Sequence, residues 1–400
     1  SKFMTANYPE REYSNFMIAL LLAFPVLINS VKIFGNLILF IFVILGVYIS
    51  ISEKKNPFQM PELKLFSWLM VGYFGVMLFS MLVADGLNAE FYHLGRKLHF
   101  LLAPFIALAL FQIDLPLKRL LLSLKFGLII IGIIALVYSL GFTEKISMIN
   151  INIFGDITVA MLFLSIVQVF KETPKERIIT FIAVLLGGYA LFLSSSRGSW
   201  VSFIILSIIY IGLIYKPFLQ SGKSKLSLVL LLAIFLGFIS TNSKIQARVS
   251  QTITAVQNWD SESKTITSAG ERLNMWVTGL KATQDSPWLG HGYRNANDAT
   301  QKYTAQDIGY THLHNEYITS LVSAGVIGLL ALLTLLFTPM VIFYKQLNNN
   351  KNYHYALMGV LLCVGYTTFG FTHIALGEEH INAFYVLFMG FLLPKMMRGH

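Results

Sequence analysis

Apolar runs long enough to cross a lipid bilayer recur from one end of the chain to the other. A membrane-spanning helix needs about 20 consecutive, mostly apolar residues. The chain has 400 residues, of which 55% are hydrophobic and only 12% are charged, whereas soluble domains carry about 25% charged residues. The pattern therefore predicts an all-α polytopic membrane protein.

Hydropathy predicts about twelve transmembrane helices. They lie near residues 14–30, 33–51, 65–84, 98–113, 120–140, 153–170, 178–193, 199–215, 226–240, 316–344, 354–374 and 380–394. This divides the chain into nine spans within 1–240, one large polar segment at 241–315, and three spans within 316–400. A cleavable signal peptide is not expected, because the first apolar run is followed at once by another.

Lys and Arg residues predict the orientation of these spans. They gather in the loops after even-numbered spans, such as "EKKNPFQMPELK" and "KETPKER", and an excess of positive charge marks the cytoplasmic side. Both termini are therefore expected in the cytoplasm, and segment 241–315 in the periplasm of a bacterium, with the spans in its inner membrane. The net charge of +10 then reflects orientation and lipid contact, not nucleic-acid binding. The single cysteine, Cys363, allows neither an intrachain disulfide nor a cysteine metal site.

The polar segment is predicted to contain two helices. The first has apolar residues at helical spacing and is expected to lie amphipathically on the membrane face: Ile245, Val249, Ile253, Val256 and Trp259. The second should start at a capping box formed by Ser268 and Glu271, with an apolar face made of Leu273, Trp276, Val277 and Leu280. Pro287 and a turn at Gly290 and Gly292 are expected to end it.

Two arginines occupy unusual positions. Arg197, in "LSSSRGSW", lies between two apolar runs at the predicted outer mouth, where a charge is costly and suggests a function. The alternative is an interfacial anchor beside Trp200, although three preceding serines supply further donors. Arg272 lies in the first turn of a predicted helix; it is either solvated or opposes the helix dipole in order to bind an anion.

The segment "THLHNEYITSLVSAGVIGLL" (311–330) places titratable groups directly before an apolar run. Thr311 is expected to cap the helix, so His314 should lie in its first turn, stay neutral and be able to act as a base. A structural histidine is the alternative. Zinc binding by H-x-H is not expected, because no third ligand occurs at a recognisable spacing. Gly325 and Gly328 lie on nearly one face and would allow close helix packing.

Two further polar groups could be solvated loops or could contact a charged headgroup. One group lies in the last outer loop and consists of His373, Glu378, Glu379 and His380. The other lies at the outer start of the fourth span and consists of His93, Arg96, Lys97 and His99.

Together, these elements resemble the O-antigen ligase family and its polymerase relatives. The family signature is a histidine, a small polar residue, nine residues and then G-x-x-G, and here it reads His314, Asn315, nine residues, Gly325, Val326, Ile327, Gly328. "ERLNMWVTGLKATQDSPWLGHGYRNA" and "SSSRGSW" resemble the family's upstream arginine motifs.

The resemblance implies a GT-C-like glycosyltransferase that uses no metal, cofactor or nucleotide sugar. Its donor would be an undecaprenyl-pyrophosphate glycan and its acceptor a sugar of lipid A–core, joined with inversion in lipopolysaccharide biosynthesis. His314 would be the catalytic base, and Arg197 and Arg272 would bind the pyrophosphate. Secondary site candidates are His312, Asn315, Glu316, Arg294 and Ser196.

Two other interpretations stay open at this point. An O-antigen polymerase or a protein O-oligosaccharyltransferase would use the same donor, although the latter usually has a larger C-terminal outer region. A transporter or flippase belongs to a different class. Three features argue against a transporter. The halves show no pseudo-repeat, few buried charges are expected along the spans, and the polar candidate residues gather on one side of the membrane.

Overall fold

The protein is described from a computed structural model that covers residues 13–89, 91–220, 240–259, 268–308 and 313–398, together with positions 222, 226, 233, 236 and 237. All regular structure in these ranges is helical. The helices are α1 (Ser14–Leu27), α2 (Phe34–Ser52), α3 (Lys64–Asp85), α4 (Phe91–Gly95), α5 (Leu98–Phe111), α6 (Leu117–Ser139), α7 (Ile151–Ser165), α8 (Pro174–Ser194), α9 (Arg197–Gln220), α10 (Ser243–Gln257), α11 (Ser268–Thr283), α12 (Ala296–Gln301), α13 (Glu316–Gln346), α14 (Tyr353–Phe369) and α15 (Glu379–Met396).

Eight helical stretches in the described ranges are long and apolar enough to cross a membrane. They are Phe34–Ser52, Lys64–Asp85, Phe91–Phe111, Leu117–Ser139, Ile151–Lys171, Pro174–Ser194, Arg197–Ile214 and Glu316–Gln346. The predicted all-α polytopic membrane protein is therefore confirmed, whereas the count of twelve spans is not. Three more predicted spans coincide with α1, α14 and α15, and the predicted span 226–240 lies largely outside the described residues.

The last helix, α15, runs through the middle of the helix bundle. Its aromatic side chains Phe384, Tyr385 and Phe388 are completely buried, and Phe24 of α1 packs against two of them. Tyr385 also packs against Tyr366 of α14, with ring centroids 4.7 Å apart. The C-terminal helices therefore belong to the core around which the other spans are arranged.

A few buried charges lie in or next to the described spans. Lys125 of α6 and Glu172, just after α7, form a buried ion pair at 2.5 Å, and Thr180 of α8 donates to the same carboxylate. Lys97 and Asp156 are also buried, at 2% and 1% exposure. Each of these charges has a polar or ionic partner in another part of the bundle, which offsets part of the cost of burial.

The segment between α9 and α13 folds onto the start of α13. It has a small core of its own, consisting of Met275, Ala282, Ala296, Ala299, Ile308, Leu313 and Val322. As predicted, helices begin near Ser243 and at Ser268, and α10 buries Ile245 while Val249, Ile253 and Val256 stay more than half exposed.

The predicted apolar face of α11 is only partly correct. Leu280 is 51% exposed. The buried face is formed instead by Asn274, Met275 and Thr278, together with Gly279, at which a Cβ would come within 2.8 Å of Leu313 and Ile318. Close contact with the start of α13 therefore selects small and medium side chains on this face, and leaves a bulky leucine outside it.

Helix α13 is broken at Gly325, which has a φ of 69° and a ψ of −165°. The turn at residues 287–292 docks into this break: the backbone N–H of Val326 donates to Pro287 (2.8 Å). The N–H groups of His291 and Gly292 donate to Val322 and Ser323 at 2.8 and 2.9 Å. The interpretation of Gly325 as a helix-packing position is therefore wrong, because this glycine interrupts the helix so that another segment can bond to its backbone.

A side chain would fit at neither glycine of this junction. A Cβ at Gly325 would lie 2.3 Å from the Trp288 backbone. A Cβ at Gly290, which has a φ of 70°, would lie 2.5 Å from the Ser323 carbonyl carbon. The expected turn at Gly290 and Gly292 is confirmed, and it anchors the polar segment to the bundle.

Candidate active site

The start of α13 is fixed on one side by the loop at residues 370–378, between α14 and α15. Asn315 is the N-cap residue, and its side chain accepts a hydrogen bond from the Ile318 N–H at 3.0 Å. Its amide donates to the Phe371 carbonyl at 3.2 Å, and the Glu316 N–H donates to the Gly370 carbonyl at 2.8 Å. Asn315 therefore positions the backbone beside His314.

His314 lies just before α13 and not in its first turn. Its φ is 51°, in the left-handed region that residues with a side chain seldom adopt. The neighbouring Leu313 is held on both sides: its carbonyl accepts from the Trp276 indole at 3.0 Å and its N–H donates to Thr319 at 3.3 Å. The prediction of a first-turn histidine is wrong because Asn315, and not Thr311, caps the helix. Thr311 and His312 lie outside the described residues.

Arg272 on α11 acts on two groups of the bundle. Burial, and then the nearby Arg272 charge, lower the pKa of His314 from its ordinary value to about 4. The imidazole is therefore neutral at pH 7, as expected, and the causes are burial and a guanidinium group. The Arg272 charge also acts on the carboxyl group of Asp156, so one arginine connects α11, α7 and the start of α13.

Asp156 is a candidate site residue that the sequence motifs did not indicate. It is 1% exposed, and its Oδ1 accepts a hydrogen bond from Ser199 at 2.8 Å. Ser199 in turn lies 2.8 Å from the Ser196 hydroxyl, and Gly155 leaves room for this contact because a Cβ there would come within 2.4 Å of Ser199. A single carboxylate inside an apolar run was the available signal.

Arg197 opens α9 and is tied to the polar segment. Its Nη1 donates to Thr252 of α10 at 3.1 Å, and Arg248 of α10 donates to the Ser195 carbonyl at 3.1 Å. Ser196, beside Arg197, also donates to Asn152 at 3.2 Å. Arg197 is thus one residue away from the serine network that reaches Asp156.

His373 is a second histidine beside His314. Their ring centroids are 6.4 Å apart, and His373 is only 3% exposed. The preceding Thr372 packs against Gly198, where a Cβ would lie 2.3 Å from the threonine hydroxyl. The 370–378 loop therefore connects the first turn of α9, with Arg197, to the His314 backbone.

The two remaining secondary candidates hold neighbouring elements in place. Glu316 is buried; one oxygen lies 3.7 Å from Lys97 Nζ, and the other accepts from the Leu376 N–H at 3.3 Å. Arg294 is exposed and donates to the Asn88 carbonyl at 3.1 Å. Both contacts fix loops around the site.

The arrangement places a neutral imidazole near a guanidinium whose charge also acts on a buried carboxyl group. An imidazole without a proton can accept one from a hydroxyl group. Guanidinium groups bind phosphate oxygens through paired, charge-assisted hydrogen bonds. The geometry therefore suits removal of a hydroxyl proton next to a phosphate-containing group.

Comparison with known proteins identifies relatives of this chain. A profile of the O-antigen ligase family matches residues 182–333, a stretch that contains Arg197, Arg272 and His314. A protein of Haemophilus influenzae, described as uncharacterized, is 27% identical over 360 residues, which cover 85% of this chain and 88% of that protein. An O-antigen ligase of Escherichia coli K12 is 27% identical over 188 residues, 44% of this chain and 43% of that ligase.

Proposed function

The chain is a member of the O-antigen ligase family, as its motifs predicted, and on that premise we propose that it transfers a glycan from undecaprenyl pyrophosphate to a sugar of lipid A–core. The interaction of Arg272 with His314 carries this proposal. It brings a phosphate-binding group and a proton acceptor together, as transfer from a glycosyl diphosphate requires. The family match by itself supports only a membrane enzyme that handles lipid-linked glycans.

In the proposed reaction, the bond between the anomeric carbon and the diphosphate oxygen breaks. An acceptor hydroxyl attacks that carbon from the opposite face, and His314 takes the hydroxyl proton. The undecaprenyl diphosphate leaves with the bonding electron pair, and Arg197 and Arg272 hold its negative charge. Attack opposite the leaving group inverts the anomeric centre.

Donor binding would activate the base. Burial, and then the Arg272 charge, lower the pKa of His314, and a bound diphosphate would compensate that charge. The part of the lowering that the charge causes would then be reversed, and general bases work best with a pKa near the operating pH. His314 would thus become a stronger base once the donor is in place.

Location follows from the same proposal. The distribution of Lys and Arg supports an inner-membrane protein with both termini in the cytoplasm. The 241–315 segment and the start of α13 would then face the periplasm, with the spans in a GT-C-like arrangement. Because both substrates are lipids, their tails would lie between spans while the glycans project outward.

A gene deletion in the source bacterium tests the proposal. With a ligase removed, lipopolysaccharide should lose its capped core while polymer accumulates on the lipid carrier. Complementation with wild-type protein should restore capping, and complementation with Arg272→Ala should not. If the deletion strain instead carries core capped with single repeat units, the protein is a polymerase. Unchanged lipopolysaccharide would contradict both activities.

A further inference from the structure

Lys97, at the start of α5, is a charged residue in the interior of the bundle. It is 2% exposed, so it is neither solvated nor accessible to a lipid headgroup. Its Nζ donates to the Tyr73 hydroxyl of α3 at 2.8 Å and to the Leu376 carbonyl at 2.9 Å. The same atom lies 3.7 Å from Oε1 of Glu316, the first residue of α13. One ammonium group therefore links α3, α5, α13 and the 370–378 loop.

Glu316 holds the same loop from the side of the proposed base. Its Oε2 accepts a hydrogen bond from the Leu376 N–H at 3.3 Å, so the N–H and the carbonyl of Leu376 are bound by the two members of one ion pair. The backbone N–H of Glu316 also donates to the Gly370 carbonyl at 2.8 Å. The loop is thus attached near both of its ends to a residue that follows His314 by two positions.

The loop held in this way carries His373. This side chain is 3% exposed, and its ring centroid lies 6.4 Å from that of His314. Between the two attachments, the Phe371 carbonyl accepts a hydrogen bond at 3.2 Å from the amide of Asn315, the residue directly after His314. A shift of the loop would therefore move His373 and the backbone beside His314 together.

Charge compensation makes this arrangement depend on Lys97. Glu316 is 4% exposed, and a buried carboxylate that loses its cation is costly. Without Lys97, the Leu376 carbonyl loses its donor and the Glu316 carboxylate must take up a proton or recruit water, so the loop is free to shift. We propose that Lys97 is a positioning residue, whose pairing with Glu316 holds the 370–378 loop and the start of α13 in the geometry that transfer requires. The inference rests on the proposed function, and it adds a residue outside the sequence motifs.

Arg96 provides a matched comparison, because it is the neighbouring residue and binds the same loop. Its guanidinium lies 2.9 Å from Glu378, and the two side chains are 22% and 25% exposed. Partly exposed ion pairs contribute little because water solvates and screens them, so Arg96→Met should leave turnover within about twofold of the wild type. The buried pair, in contrast, should not tolerate the loss of one partner.

Kinetics of the purified full-length protein test the role of Lys97. In Lys97→Met the kcat should fall roughly tenfold or more, because a misplacement of about 1 Å at a reacting group can cost about a hundredfold. The KM values for donor and acceptor should stay within about threefold of the wild type, because buried Lys97 is not accessible to either substrate. The double variant Lys97→Met/Glu316→Gln has no unpaired charge, and the glutamine carbonyl can still accept from Leu376. Most of the kcat should therefore return.

A second single variant keeps this test decisive. If Lys97→Met does not yield folded protein, Glu316→Gln takes its place in the double-mutant cycle. That substitution leaves the ammonium group unpaired, and the same double variant should relieve its effect. A kcat of Lys97→Met near the wild-type value, or a double variant that is no better than either single variant, would overturn the proposal.

Hydrogen exchange separates failure of the positioning role from failure of the proposed function. Mass spectrometry follows amide exchange in residues 313–320 and 370–378 with no substrate present. Both segments of Lys97→Met should exchange faster than those of the wild type and of Arg96→Met, and the double variant should return toward wild-type rates, whether or not transfer is observed. Unchanged exchange in Lys97→Met would overturn the role of Lys97 and leave the proposed transfer intact.

Discussion

The backbone of His314 has a conformation that residues with a side chain seldom adopt. Its φ of 51° is maintained because Leu313 and Asn315, on either side, are hydrogen-bonded to other segments. Strained residues of this kind persist where the surrounding structure enforces them, often at functional sites. Burial, and then the nearby Arg272 charge, keep the ring neutral at pH 7.

The acid limb of the pH–rate profile should show the lowered pKa of His314. His314 must be neutral to act as a base, so kcat/KM should fall as the pH drops through about 4, well below the ordinary histidine value of about 6.5. The Arg272→Gln protein lacks the positive charge that helps to lower the pKa of His314. Its residual activity should therefore be lost at a higher pH than the activity of the wild type. Arg177→Gln, at an exposed position on α8, is the control, and it should not change the pH at which activity falls. The same limb in Arg272→Gln and wild type would contradict the electrostatic link.

At the scale of elements, the break in α13 joins the polar segment to the membrane bundle. The hydrogen bonds between residues 287–292 and the broken helix fix α11, and therefore Arg272, relative to His314. The proposed site would therefore depend on the break, because a continuous helix would offer no free backbone groups for the turn to bind.

Gly325→Ala should weaken this junction. Alanine would have to adopt a φ of 69°, and its Cβ would clash with the Trp288 backbone. Backbone strain of this kind costs about 1–3 kcal/mol. We expect a lower Tm in detergent and faster proteolysis between residues 284 and 308. Gly188→Ala in α8, where a Cβ meets open space, should change neither; equal effects of the two substitutions would speak against the junction.

Some of these elements could be predicted from the sequence and others could not. The spans α2 to α9 follow from local apolar composition, and the two arginines and His314 follow from local motifs. The break at Gly325 depends on backbone partners near Pro287, far away along the chain, so no local pattern predicts it. Asp156 could have been found, because a lone carboxylate in an apolar run is costly unless it has a function.

For the whole molecule, the proposed site draws on residues from separate elements. Arg197 comes from a span boundary, Arg272 from the polar segment and His314 from the start of a late helix. The proposed site therefore depends on the polar segment folding back onto the bundle, and its parts should act as one unit in the reaction.

Shared binding of one diphosphate predicts non-additive mutations. Arg197→Ala and Arg272→Ala should each lower the kcat/KM for the donor, and the double variant should lose far less than the product of the two effects. Lysine at either position should also impair transfer, because it keeps the charge but loses the planar fork. Effects that simply multiply would indicate two independent sites.

Transfer should require neither a metal ion nor a nucleotide. The proposed reaction uses one imidazole and two guanidinium groups, and the sequence contains no P-loop pattern. Purified protein with lipid-linked donor and lipid A–core should turn over in EDTA without ATP. Activity that disappears in EDTA and returns with one particular divalent ion would contradict this, provided that substrate dispersion, followed by light scattering, does not change.

Transfer by purified His314→Ala protein is the sharpest test of whether His314 is the base. Loss of a general base typically costs about 10²–10⁴-fold in rate, so transfer from lipid-linked donor to lipid A–core should fall by at least a hundredfold. Donor binding and Tm should stay near the wild-type values, which would separate a catalytic defect from misfolding. Near-normal transfer by His314→Ala would show that His314 is not the base.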